Sequence, residues 1–114
     1  MSTDADQTIG ALRVALNSRP AGEICNNEKE QIKMLLSEAW ELFDGHDQGA
    51  TDAYKLYRAE KLQWQSPTLS FLLERHGRTN MGSTRADLQY WEVDLDTRQA
   101  SIVKVGWRRV NRKA

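Results

Sequence analysis

The chain is 114 residues long, 39% hydrophobic and 28% charged, and its 16 Lys/Arg balance 16 Asp/Glu. A chain of that size builds one core, and its composition is that of a globular rather than a disordered protein. Its longest apolar runs, such as Phe71-Leu72-Leu73, fall far short of a membrane span, its one cysteine cannot form an internal disulfide, and its acidic start, Met1-Ser2-Thr3-Asp4-Ala5-Asp6, is not that of a secretory signal. The expectation is a cytoplasmic, single-domain protein with no membrane partner.

The first predicted element is a helix over about 7–17, with Asp6 as its N-cap and Ile9, Leu12 and Leu16 on one face. Pro20 and Gly22 end it. A second helix is predicted over about 28–44, capped by Asn27, with Glu30 at the capping-box position. Its apolar stripe is Ile32, Leu35, Leu36, Ala39, Trp40 and Phe43, and Gly45 supplies a left-handed exit. A third helix, over about 52–63 with Thr51 as cap, would bury Ala53, Leu56, Tyr57 and Trp64. It would expose Lys55, Arg58 and Lys61 as a basic ridge.

After Pro67 the period changes to two, which predicts strands over about 68–76, 87–95 and 100–110. Short connections make them an antiparallel meander. The fold expected is therefore α+β, three N-terminal helices packed on one face of a three-stranded antiparallel sheet. The helices would cover Trp91, Val93 and Trp107. Tyr90, Glu92, Lys104 and Arg108 would lie on the open face, with Ile102 beside them.

Charge is divided along the chain. Residues 1–66 hold seven Lys/Arg against eleven Asp/Glu, and residues 67–114 hold nine against five. Seven of those nine are arginines, whose planar fork suits carboxylate and phosphate oxygens. Three of them, Arg75, Arg78 and Arg85, fall with His76 in the segment 75–85 between the first two predicted strands. That is more donor chemistry than a connection needs.

Arg75-His76-Gly77 at a strand end, with Thr79 two residues on, resembles the Arg-His-Gly motif of the histidine phosphatases. Membership would imply a phosphorylated His76 held by arginines on the first strand of a large α/β core. Here the motif lies two-thirds along the chain and no second histidine follows, so the family is set aside. Cys25, His46 and His76 are isolated, without metal-ligand spacing. Asp44, Asp47, Asp94 and Asp96 read as turn formers, and neither a metal nor another cofactor is expected. A metal-independent ribonuclease would need a base, an acid and cations, and Glu74, Arg75, His76, Arg85, Tyr90 and Arg108 are groups of those kinds.

The function expected is binding rather than catalysis, with no catalytic residues assigned. The binding set is Glu74, Arg75, His76, Arg78, Arg85, Tyr90, Lys104 and Arg108. The partner expected is a protein or a second copy of the chain, as for an interaction or inhibitor module, since arginine and aromatic residues anchor interfaces. Nucleic-acid binding and a small ribonuclease are the alternatives. An overall pI near 6.7 weighs against a dedicated nucleic-acid domain.

Overall fold

The computed structural model describes residues 3–46, 56–78 and 84–110. Two helices, α1 (Thr3–Asn17) and α2 (Asn26–Ala39), are separated by a two-residue strand β1 (Gly22–Glu23) and followed by a 3-10 turn, Trp40–Leu42. Four more strands follow: β2 (Glu60–Gln65), β3 (Thr68–Arg78), β4 (Thr84–Asp94) and β5 (Gln99–Val110). The strands lie side by side in chain order and every neighbouring pair is antiparallel. The class is α+β, but among the described residues two full helices and a five-stranded sheet stand in place of the expected three helices and three strands.

Each helix forms where its apolar residues recur at three and four. In α1 Ile9, Leu12 and Leu16 are buried, and in α2 Ile32, Leu36 and Ala39 are. Helix α1 begins earlier than expected, at Thr3, since no proline or glycine interrupts the chain before Gly10. Asp6 is therefore inside the helix, where its carboxylate pairs with Arg98 at 3.2 Å. The N-cap of α2 is Cys25, not Asn27, and it makes no side-chain capping bond. The helix gives way at Trp40 to the 3-10 turn, closed by the Phe43 N–H donating to the Trp40 carbonyl at 3.1 Å.

Gly45 does adopt a left-handed φ, 86°. The reason is steric as well as conformational, since a Cβ there would lie 2.4 Å from the Ala100 carbonyl oxygen. The chain is pressed against β5 at this point. The Asp44 N–H donates to Arg98 and the Asp44 carbonyl accepts from Ala100, both at 2.7 Å.

The third helix expected over 52–63 is overturned at its C-terminal end. Leu56 and Tyr57 are helical, residues 52–55 lie outside the described residues, and Glu60–Gln65 is strand β2. Leu62 and Trp64 are buried while Lys61, Gln63 and Gln65 are exposed, so the true period is two. Leu56 and Ala59, both buried, mimic a helical continuation up to the point where Lys61 takes φ 54° and the β2–β3 register slips. Lys61 belongs to the strand, so it does not continue a helical basic ridge from Arg58, and Lys55 lies outside the described residues.

Strands β3 and β4 pair without interruption from Thr68↔Asp94 to Arg78↔Thr84. Strand β5 follows β4 with a bulge, since Tyr90 faces Lys104 and Trp91 faces Ile102, leaving Val103 as the extra residue. The helices pack on the face that carries Leu69, Phe71, Leu73, Trp91, Val93 and Ala100, all buried. Trp40 meets this face edge-on, 5.3 Å from Trp91 and 6.1 Å from Phe71 between ring centroids, and Phe71 stacks parallel to Trp91 at 6.5 Å.

Trp107 does not join that core. It is 57% exposed. It faces Asp87, four residues from Trp91 along β4, which is roughly 13 Å at strand rise. It lies outside the buried cluster.

The β4–β5 turn is a structured corner. The Asp94 carboxylate accepts the N–H groups of Asp96 at 2.8 Å and Thr97 at 3.0 Å. Arg13 of α1 donates to Asp96 at 2.9 Å and also to the Leu95 carbonyl, which fixes α1 to the turn. The Thr97 N–H, helped by that of Asp96, holds the Asp94 carboxyl below its usual pKa.

Two outcomes follow from this packing. Trp91→Ala should lower stability by about 3–5 kcal/mol, whereas Trp107→Ala should cost about 1 kcal/mol or less; urea unfolding of the two variants checks the contrast. The depressed Asp94 pKa means the folded state gains stability above pH ~4 and loses it as the pH falls through the lower folded value. Asp94→Asn should therefore flatten the fall of Tm in thermal melts below about pH 4.

Candidate functional site

The outer ends of the three longest strands, residues 74–78, 84–90 and 103–110, form an arm that carries all eight expected binding residues. Most of what looked like a loop is strand. Arg75 pairs in register with Asp87, His76 with Ala86, Gly77 with Arg85 and Arg78 with Thr84. Only residues 79–83 separate the strands, and they lie outside the described residues. Arg75, His76, Arg78 and Arg85 thus belong to the backbone of a paired ribbon instead of a free loop.

On the open face, Glu74 of β3 forms an ion pair with Arg108 of β5 at 2.5 Å, bridging over β4. Ala86, which sits in register between His76 and Arg108, is buried. This pair brings together two of the groups a ribonuclease would need, but it gives Glu74 a fixed cation. Next along the face, the Lys104 ammonium lies 5.6 Å from the centre of the Tyr90 ring, in cation–π range. Beyond Tyr90 a groove of about 280 Å³ is floored by Leu72 and rimmed by Gln63, Ser70, Glu92 and Val103. Tyr90 is partly exposed, and Glu92, Lys104 and Arg108 are exposed. These four positions therefore stand as expected.

Ile102 does not. The bulge puts it opposite Trp91, on the helix side of the sheet. It is 39% exposed at the margin of the helical layer.

The feature that strand-by-strand reading misses is the edge. Strand β5 is last in the sheet, and among the described residues nothing pairs with its outer side beyond the contact of Asp44 at Gln99 and Ala100. Residues 101–109 are all exposed, including Val103 at 54% and Val105 at 68%. Val105 faces Gln89 and Trp107 faces Asp87, so both lie on the helix side of the sheet but past the helices. The signal was available in the topology, because the last strand of a meander has only one neighbour.

No helix among the described residues is long and apolar enough to cross a membrane. No cluster of three or more His, Cys, Asp or Glu side chains among them is arranged to hold a metal ion. No protein-family model, curated protein or solved structure matches this chain.

The Glu74–Arg108 pair is solvent-facing at its arginine end, with Arg108 52% exposed. Arg108→Ala should therefore change the free energy of unfolding by less than about 1 kcal/mol, as read by chemical denaturation. A larger loss would mark the pair as a structural clamp on the arm.

Proposed function

We propose that the protein is a binding module that takes a protein partner on the β3–β5 arm, in an interaction or inhibitor role without catalysis. One observation carries this reading: nine successive residues of an edge strand are exposed, and four of them, Ile102, Val103, Val105 and Trp107, are large and apolar. Soluble domains rarely leave such a surface open without use, and a bare strand edge offers main-chain donors and acceptors besides. The cations of the arm supply orientation, as interface charges do.

Nucleic-acid binding is the second reading, favoured by the same cations with Tyr90 and Trp107 as stacking groups. It accounts less well for Val103 and Val105, whose aliphatic surface offers a base nothing to stack on.

The locus is tested with the photo-crosslinker p-benzoylphenylalanine placed at Val105, and at Val14 on α1 as an equally exposed control. The full chain is expressed in its own host for the irradiation. Protein adducts should form from position 105 and not from position 14. An absence of adducts at 105, or adducts removed by nuclease and not by protease, would overturn the reading.

A further inference from the structure

We infer that the partner binds as an extended peptide added to β5 as a sixth strand, and that it reads acidic–apolar–any–apolar–acidic across residues 104–108. This rests on the arm being the binding surface. The main-chain edge supplies the ladder, and the side chains of β5 supply the pattern. Alternation along β5 sends Lys104, Gly106 and Arg108 to the open face and Val105 and Trp107 to the helix side. A strand laid beside β5 meets the same alternation, because directly opposite residues share a face.

Lys104 and Arg108 therefore face positions best filled by Asp or Glu. Arg108 has donors beyond the one given to Glu74, since a guanidinium carries five. Val105 and Trp107 face positions that bury apolar side chains. Gly106 leaves open space between the two cations, where a Cβ would meet nothing within 4 Å, so the residue facing it is unrestricted. The pattern reads the same from either end and suits a strand of either direction.

Charge decides between this occupant and a second copy. By sequence the arm holds Arg75, Arg78, Arg85, Lys104, Arg108 and Arg109 against Glu74 and Asp87. Two such arms repel. The self-paired register that lays Val105 against Trp107 also sets Lys104 directly opposite Arg108, a like-charge pair on one face. An acidic strand meets neither obstacle.

The probe is a dye-labelled, end-capped heptapeptide with Glu-Val-Thr-Val-Glu at its centre, titrated with the full chain by fluorescence polarisation. Binding should weaken as salt is raised, and a probe with Lys for both Glu should bind at least ten-fold more weakly. Methylating one alternate set of the probe's backbone amides should abolish binding and methylating the other should not, because only one set faces the β5 edge. Lys104→Glu should reverse the preference between the two probes, with an unchanged circular dichroism spectrum as the check on folding. Hydrogen exchange should slow at alternate amides within residues 101–109 when the probe is added.

The inference is overturned if the acidic probe does not bind at millimolar concentration, if the lysine probe binds equally, or if neither methylated set matters. It is also overturned if the protein alone dimerises and protects residues 101–109, or if a uridine oligonucleotide displaces the probe at lower concentration. Photo-adducts at position 105 alongside any of the first three results would leave a protein-binding arm standing while removing strand addition from it.

Discussion

Trp40 stands at the junction of the two layers, where α2 ends and the chain turns toward the sheet. Its ring lies edge-on to Trp91 and Phe71, which are themselves stacked, and 5.9 Å from Phe43. Aromatic pairs of this geometry contribute about 0.5–1.5 kcal/mol each beyond the area they bury. The cluster therefore sets where the helices sit on the sheet, centred on the Phe71↔Trp91 pair. Other anchors act at the near end. Arg13 and Asp6 tie α1 to the β4–β5 turn, and Asp44 is stitched to the first residues of β5. All of these attachments lie on the same half of the sheet.

Length then dictates what remains bare. Helices of fifteen and fourteen residues span roughly 22 Å, while β3, β4 and β5 at eleven, eleven and twelve residues span roughly 36–40 Å. A helix as long as α1 or α2, centred near Trp91 and running along the strands, would extend roughly 11 Å to either side, against roughly 13 Å to the level of Trp107. The molecule is accordingly elongated, 47 Å in its longest dimension. The arm's apolar side chains on the helix side are not a lapse in patterning. They continue the face of Leu73, Trp91 and Val93 outward along the strands.

Those constraints also explain what the sequence did and did not disclose. Ile9, Leu12 and Leu16, then Ile32, Leu36 and Ala39, announce their helices because burial of a helix stripe leaves a period no strand shares. The inner part of the β3–β4 pairing was legible for the same reason in a period of two, whereas its outer end, Gly77 and Arg78 with Thr84 and Arg85, read as loop because polar residues and glycine mask the alternation there. Strand β2 was not, because only Leu62 and Trp64 mark it, and the buried Leu56 and Ala59 just before it fit a helix. Strand β1 is two exposed residues, a glycine and a glutamate, so it leaves no hydrophobic trace at all. In the candidate site, the residue types were visible and the Glu74–Arg108 pairing was not, since it depends on two strands lying either side of β4. The exposure of Trp107 was hidden for a different reason. Alternation reports which side of a sheet a residue is on, and says nothing about how far the opposite layer extends.

The bulge at Val103 shows how a local irregularity sets the chemistry of a whole surface. With no extra residue, β5 would keep one parity from end to end, and Ala100, Ile102, Lys104 and Arg108 would all share the face of Trp91. Buried Ala100 requires the first part of the strand to hold that phase. The cations would then lie on the apolar helix side, and Val105 and Trp107 would point to the polar open face. One inserted residue changes the phase after Ile102. Lys104 is thereby placed over Tyr90, Arg108 within reach of Glu74, and Val105 and Trp107 in line with the core face. A bulge in an edge strand also sharpens its local twist, which discourages flat self-pairing. The same residue thus sorts charge from apolar surface along the arm and, by sharpening the twist of the edge, makes β5 a poorer template for flat self-pairing.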